Sequence, residues 1–147
     1  MIFIMRKINI ISRCANAYRG DRLSSDKIHP LHHSFALCIC KNPGISQDDI
    51  ADRLCIDKSN VTRALSILEE QGLIYRENDI NDKRILRVFP TNNMNLLLPE
   101  IKKTSKEWNE YLTEDLSESE IEVFQSVLER ITVKAQKYME SRGEAIK

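Results

Sequence analysis

Apolar residues at Ile4, Ile8, Ile11, Ala15 and Tyr18 recur at steps of four and three, so the chain opens on a helix with one apolar face. The run "RGDRLSSDKIHP" at 19–30 breaks that pattern, and Leu31, Phe35, Cys38 and Ile39 then predict a second short helix closed by "NPG". In "SQDDIADRL", Ser46 followed three residues on by Asp49 is a capping box, which starts a helix ending near Cys55. Asp57 can cap the next helix, "KSNVTRALSILEEQ", whose Val61, Ala64, Leu65 and Leu68 share one face, and Gly72 is its natural stop. "LIYRE" and "ILRVF" read as two strands of a hairpin around the polar loop "NDINDKR", residues 78–84. Thr91 can cap a longer helix through "NNMNLLLPEIKKTSKEWNEYL", and Pro99 within it should bend the helix unless the helix starts later. A further capping box, Ser117 with Glu120, opens a last helix whose Ile121, Phe124, Leu128, Ile131, Ala135 and Tyr138 form an apolar seam about five turns long.

Residues 46–71 therefore read as a helix-turn-helix. Ala51 is the small residue where the helices cross, and Ile56 plugs the turn. Val61, Ala64, Leu65 and Leu68 hide one face of the second helix, while Ser59, Asn60, Thr62, Arg63 and Ser66 lie opposite. Those types suit a DNA major groove: Arg forks onto guanine, Asn onto adenine, and Ser and Thr reach phosphates or bases. The plainer alternative is a solvated surface helix. The hairpin weighs against it, because a helix-turn-helix followed at once by two strands is a winged helix. The loop is then the wing, with Lys83 and Arg84 set to meet the minor groove or phosphates. Asp82 should repel DNA, and its expected task is to orient Arg84 or a neighbouring Arg by an ion pair. Arg76 and Arg87 on the strands add expected phosphate partners.

Charge changes the picture only locally. Lys plus Arg and Asp plus Glu each number 22 among 147 residues, so net charge names no partner. Lys58, Arg63, Arg76, Lys83, Arg84 and Arg87 nonetheless gather in this one region, with the balancing acids expected elsewhere. Composition is that of an ordinary globular chain, with 41% hydrophobic and 30% charged residues, and sparse Gly and Pro favour helices. "MIFIMRK" is too short before its cations for a signal core or a membrane span. A cytoplasmic protein with reduced thiols at Cys14, Cys38, Cys40 and Cys55 is expected, with Met5 a second candidate start.

Residues 45–91, "ISQDDIADRLCIDKSNVTRALSILEEQGLIYRENDINDKRILRVFPT", resemble the core of the MarR family of bacterial and archaeal regulators. The resemblance rests on Ser46-Gln47 with Ile50-Ala51 and Leu54, on "VTR" at 61–63, on "LEEQGLI" at 68–74 with Arg76, and on Asp82 and Arg84 with Val88 and Thr91. The chain departs from the family after the second strand, with Pro90-Thr91 and Asn92-Asn93 where Leu-Thr and a Gly are usual. This affects only the start of the next helix. The flanking helices fit as well.

The resemblance implies a mainly α fold with a small β-hairpin wing, a winged helix-turn-helix flanked by N- and C-terminal dimerisation helices. One domain would span 1–147, with 30–91 as the DNA-binding part and 1–20 and 92–142 as dimerisation helices. It implies a homodimer on a pseudo-palindromic double-stranded site, a transcriptional regulator more often repressing than activating, and no cofactor. The expected DNA-facing set is Ser46, Gln47, Lys58, Ser59, Asn60, Thr62, Arg63, Ser66, Arg76, Asp82, Lys83 and Arg84. Many relatives release DNA on binding a small phenolic or other aromatic acid. Tyr18, Arg19, His33 and Phe35 are the candidates here, although Tyr18 and Phe35 also read as core.

Three other readings stand beside this one. His29, His32 and His33 with Cys38 suggest a metal sensor, against which adjacent His32 and His33 would point to different faces of a helix. Cys14 beside Arg13 suggests a redox switch. A winged helix can also serve protein contacts alone. An enzyme is not expected, since no nucleophile elbow, P-loop, dinucleotide fingerprint or zincin motif is present.

Overall fold

The computed structural model describes residues 1–145, with the side chains of 144 and 145 left aside. The chain divides into two compact units, Met1–Trp108 and the part from Asn109 onward. The first holds α1 (Ile4–Arg22), a single 3₁₀ turn (Pro30–His32), α2 (His33–Lys41), β1 (Ile45–Ser46), α3 (Gln47–Leu54), α4 (Lys58–Glu70), β2 (Ile74–Asn78) and β3 (Leu86–Pro90). It also holds most of α5 (Asn92–Thr113), and α6 (Glu118–Ala145) lies in the second. No helix among the described residues is long and apolar enough to cross a membrane.

The helix-turn-helix follows the apolar pattern closely. The hydroxyl of Ser46 accepts the Asp49 N–H at 3.1 Å and starts α3. In α4 the four expected residues, Val61, Ala64, Leu65 and Leu68, are the buried ones. They join Ile28, Ile39, Ile50, Ile74, Val88, Met94 and Ile101 in one core. That core fixes how α4 stands on the rest of the unit. The turn before α4 carries Cys55 at φ 51°, in the left-handed region that L residues enter at a cost. Cys55→Gly should therefore raise stability by up to about 1 kcal/mol in urea unfolding, and no gain would mean that the turn holds no strain.

The sheet is larger than the hairpin that the sequence predicts. Antiparallel β1 pairs with β3, Ile45 opposite Val88, so the order is β1-β3-β2. Gly44 makes the third strand possible: it sits at φ +86°, and an added Cβ would come 3.2 Å from the Phe89 ring. Its N–H donates to the Val88 carbonyl at 2.8 Å. A two-residue strand leaves no alternation to read, which is why the pattern hides it. Both hairpin strands begin one residue later than expected, β2 at Ile74 and β3 at Leu86.

Four local expectations are corrected. The first helix runs on through Gly20 to Arg22, and the segment after it is not mere connection, since Leu23 and Ile28 are buried core. Leu31 turns outward, leaving Phe35 and Ile39 as the buried face of α2. Asp57 occupies the N-cap position of α4, but its carboxylate takes the Ser59 hydroxyl instead of a backbone N–H. Finally, α5 starts at Asn92 and runs through Pro99, so the later start is excluded. Thr91 caps it as expected, accepting the Met94 N–H at 3.3 Å.

In the second unit the capping box is complete. Ser117 N–H donates to Glu120 Oε2 at 2.8 Å, and the Glu120 N–H donates to Ser117 Oγ at 3.3 Å. The Ser117 N–H, and after it the Ser117 hydroxyl donating at 3.0 Å, hold the carboxyl of Glu120 below the usual range. Along α6, Val123, Phe124, Val127, Leu128, Ile131 and Tyr138 are exposed.

Candidate nucleic-acid interface

With Val61, Ala64, Leu65 and Leu68 facing inward, helical periodicity turns Ser59, Asn60, Thr62, Arg63 and Ser66 to the opposite side. Thr62 Oγ1 donates to the Lys58 carbonyl and Ser66 Oγ to the Thr62 carbonyl, both at 3.0 Å, so these hydroxyls lie along the helix. Arg63 donates to the Asn60 side-chain oxygen one turn back. Asn and Arg thus form one forked unit on an exposed face. Lys58 reaches Asp48 on α3 at 3.2 Å across an exposed gap.

The wing is a tied loop. Asp79 organises it: Oδ2 accepts the N–H groups of Asn81 and Asp82 at 2.9 and 3.1 Å, and Oδ1 accepts Arg87 Nε at 2.6 Å. Arg87, with these backbone donors after it, keeps the Asp79 carboxyl below its ordinary range. Asn78 donates to the Lys83 carbonyl at 2.6 Å, and the Asp79 N–H donates to the Ile85 carbonyl at 2.8 Å. Asp82 grips Arg84 through both oxygens, Nε and Nη2 each at 3.0 Å, which lowers the acid's pKa and raises the base's. This is the orienting pair expected from the sequence, and the Arg84 side chain remains 90% exposed.

Four expected contacts are engaged within the protein. Ser46 is 9% exposed and its hydroxyl is the α3 cap. Arg76 donates to Glu69 at 2.6 Å, to Gln47 at 3.1 Å and to Ser66 at 3.4 Å, lashing β2 to α3 and α4. Gln47 is engaged as that acceptor. Arg87 ties Asp79 and donates to the Gly44 carbonyl at 3.0 Å, so it joins the wing to the turn before β1. Arg76 and Arg87 are struts, and no pattern in the sequence distinguishes a strut from a free cation. Balancing acids also lie inside this region, where only Asp82 was expected. Asp48, Glu69, Asp82 and Asp79 pair with Lys58, Arg76, Arg84 and Arg87 inside this same region. Among the described residues, Arg63 and Lys83 have no carboxylate in ion-pair range. Arg76→Leu should lower unfolding free energy by about 1–2 kcal/mol, because Glu69 and Gln47 lose a shared partner. Urea unfolding without DNA tests this, and an unchanged midpoint would return Arg76 to the contact set.

The four residues expected to hold an effector divide into two pairs. Tyr18 stands half-buried on α1, its ring 5.0 Å from that of Trp108, with Arg22 4.8 Å above it and its hydroxyl 3.5 Å from Glu107. Arg19 is half-buried, donates to Asn16 at 3.0 Å, and has its pKa lowered by burial. His33 and Phe35 belong to the interior, at 1% and 3% exposure, which removes them from any open lining. Both ring nitrogens of His33 are buried without a hydrogen-bond partner. Burial first, then the charge of Arg19 and the neighbouring His29 and His32, push its pKa from 6.5 to about 4.

Unfolded chain therefore binds the His33 proton below 6.5 while folded chain refuses it until about 4. Stability is full above the first value and falls with pH between the two, by up to about 3 kcal/mol from this residue. His33→Leu should flatten that acid decline. An unaltered pH profile would show that another group causes it.

His29 Nδ1 accepts the Leu31 N–H at 3.1 Å, and no group of three metal-binding side chains occurs among the described residues. Cys38 and Cys40 are partly covered, with pKa values raised by burial, whereas Cys14 and Cys55 are exposed.

A family model described as the MarR family matches residues 35–86. The chain is 25% identical over 128 residues to the HTH-type transcriptional regulator YybA of Bacillus subtilis (strain 168), covering 87% of this chain and 85% of that one. Its structure resembles that of the transcriptional regulator SlyA with a TM-score of 0.88 and 29% identity, over 92% of this chain and 96% of that one. It also resembles a MarR family regulator from Listeria monocytogenes complexed with 26mer DNA, with a TM-score of 0.87 and 26% identity over 93% and 91% of the two chains.

Proposed function

We propose that this chain, which belongs to the MarR family of DNA-binding transcriptional regulators, acts as a homodimeric repressor on a pseudo-palindromic operator. Members of this family are regulators and not enzymes. The observation that carries the reading is α4, whose apolar side is locked in the core while Asn60 and Arg63 stand exposed as a forked pair. In this reading α4 enters the major groove, where Arg63 and Asn60 read base edges and Lys58, Ser59, Thr62 and Ser66 meet the backbone. Lys83 and Arg84 meet the phosphates that border the adjacent minor groove, with Asp82 holding the guanidinium in place. The Listeria relative in complex with DNA supports the same use of the fold.

The exposed apolar residues of α6, and of α1 at Ile4, Ile10 and Ile11, support a second copy as their cover. Residues 30–91 would then be the DNA-binding part, with 1–20 and 92–142 pairing the two copies in the cytoplasm. A two-fold axis sets two copies of α4 about one DNA turn apart, and this spacing requires an inverted repeat. An aromatic or phenolic acid is the effector class that suits the end of α1. There, exposed Arg22 stands over the Tyr18 ring, which meets that of Trp108, and half-buried Arg19 follows Tyr18 on the same helix.

The test is selection of binding sites by the purified protein from a random DNA library. Recovery of an inverted repeat supports the reading and supplies a probe for screening aromatic acids. Recovery of no consensus would move the protein towards non-specific DNA association or protein docking.

A further inference from the structure

Ile80 is 97% exposed at the tip of a wing that is otherwise polar. The loop does not leave it there through slackness. Asp79 before it and Asn81 and Asp82 after it are pinned by the Asp79 carboxylate, and the loop is closed by the bonds from Asn78 to Lys83 and from Asp79 to Ile85. A β-branched side chain adds stiffness at χ1. The free protein thus holds a rigid apolar residue in water, with Lys83 and Arg84 close by in the same loop. Exposed single apolar residues are common on surfaces and by themselves signify nothing. This one differs in being fixed at the end of an element whose cations point to a polyanion.

On the DNA reading above, we propose that Ile80 is a specificity-determining apolar contact of the wing, entering the minor groove between the sugar walls. Lys83 and Arg84 hold the phosphates on either side. An apolar group set into that groove presses on base stacking and favours steps that open easily, the pyrimidine–purine steps TA and CA/TG. Specificity would then extend beyond the bases read by α4, to flanking positions where no hydrogen bond is made. Asn at this position could bond to the groove floor but would not wedge, whereas Leu would keep the apolar bulk.

The experiment repeats the library selection with the parent, Ile80→Asn and Ile80→Leu, and then measures affinity for the parent's selected site by fluorescence anisotropy. Full exposure of the side chain keeps folding out of the comparison, and matching circular dichroism melts verify this. The expected result is a flanking preference for pyrimidine–purine steps in the parent and in Ile80→Leu. In Ile80→Asn that preference disappears, affinity drops about tenfold, and the central consensus is unchanged. If the parent selects an inverted repeat but Ile80→Asn selects the same flanks with affinity within about twofold, the wedge is overturned and the DNA reading stands. If the parent selects nothing, both are overturned, and the exposed tip passes to a protein partner.

Discussion

Leu128→Glu combined with Ile131→Glu should leave monomers in solution and lower affinity for an inverted repeat by about 10²–10⁴-fold. The expectation follows from the long seam of α6. Val123, Phe124, Val127, Leu128, Ile131 and Tyr138 are exposed along one continuous helix. A row of this kind is a surface that expects cover. Two carboxylates in its middle would have to be buried without partners if two copies paired there, at a cost of several kcal/mol. Glu is itself a good helix former, so α6 should persist. The large loss arises because a dimer binds its second half-site as an intramolecular event. Removing the dimer removes that advantage and leaves each half-site affinity intact. Sedimentation velocity reports the mass, and anisotropy on whole and half sites reports the affinities. A variant that stayed dimeric would show that α6 is not the interface.

Arg63→Ala should cost about 1–3 kcal/mol of DNA affinity and relax the preference at one position of each half-site. Arg63 stands outside the buried face of α4, and its fork rests on the Asn60 side-chain oxygen. On the proposed reading, binding would exchange that neutral partner for a base edge, a small sacrifice for a bidentate contact. The protein without DNA should be unaffected, because this side chain is exposed. Arg84→Ala makes the useful contrast. In the proposed complex its guanidinium would meet the phosphate backbone, common to all sequences, so its loss should weaken every site alike. Were Arg63→Ala to weaken all sites equally and leave the consensus intact, base reading would have to move to other residues of α4.

The fold was legible where burial is periodic. The buried side of α4 could be read residue by residue, because four apolar positions at helical spacing leave one solution. The caps at Ser46, Thr91 and Ser117 were legible for a similar reason: each is a local bargain between a side chain and the next turn. Strand β1 was not, since two residues carry no period and its pairing depends on a distant carbonyl, Val88. The site divided along the same line. The outward face of α4 and the Asp82–Arg84 pair were open to reading because they are near neighbours in the chain. The Arg76 lashing joins residues up to 29 apart, and a lone Arg on a strand looks the same whether it braces the protein or waits for phosphate. His33 and Phe35 were misplaced on a cavity wall because helical spacing says that a face is buried without saying what covers it.

The self-pairing of the interface cations has a consequence for how such a protein would search a chromosome. Phosphates neutralised by bare cations release condensed counterions, each contributing about −0.9 to the logarithmic salt dependence of binding. Four of the six cations here already carry a carboxylate as a resident counterion. Less ion release is then available to drive association with arbitrary sequence. The salt dependence should be shallower than a count of six suggests, and the hold on non-operator DNA correspondingly loose. A regulator built this way spends little of its time trapped on the wrong sequence, and its occupancy of the right one changes little when the cell's ionic strength changes.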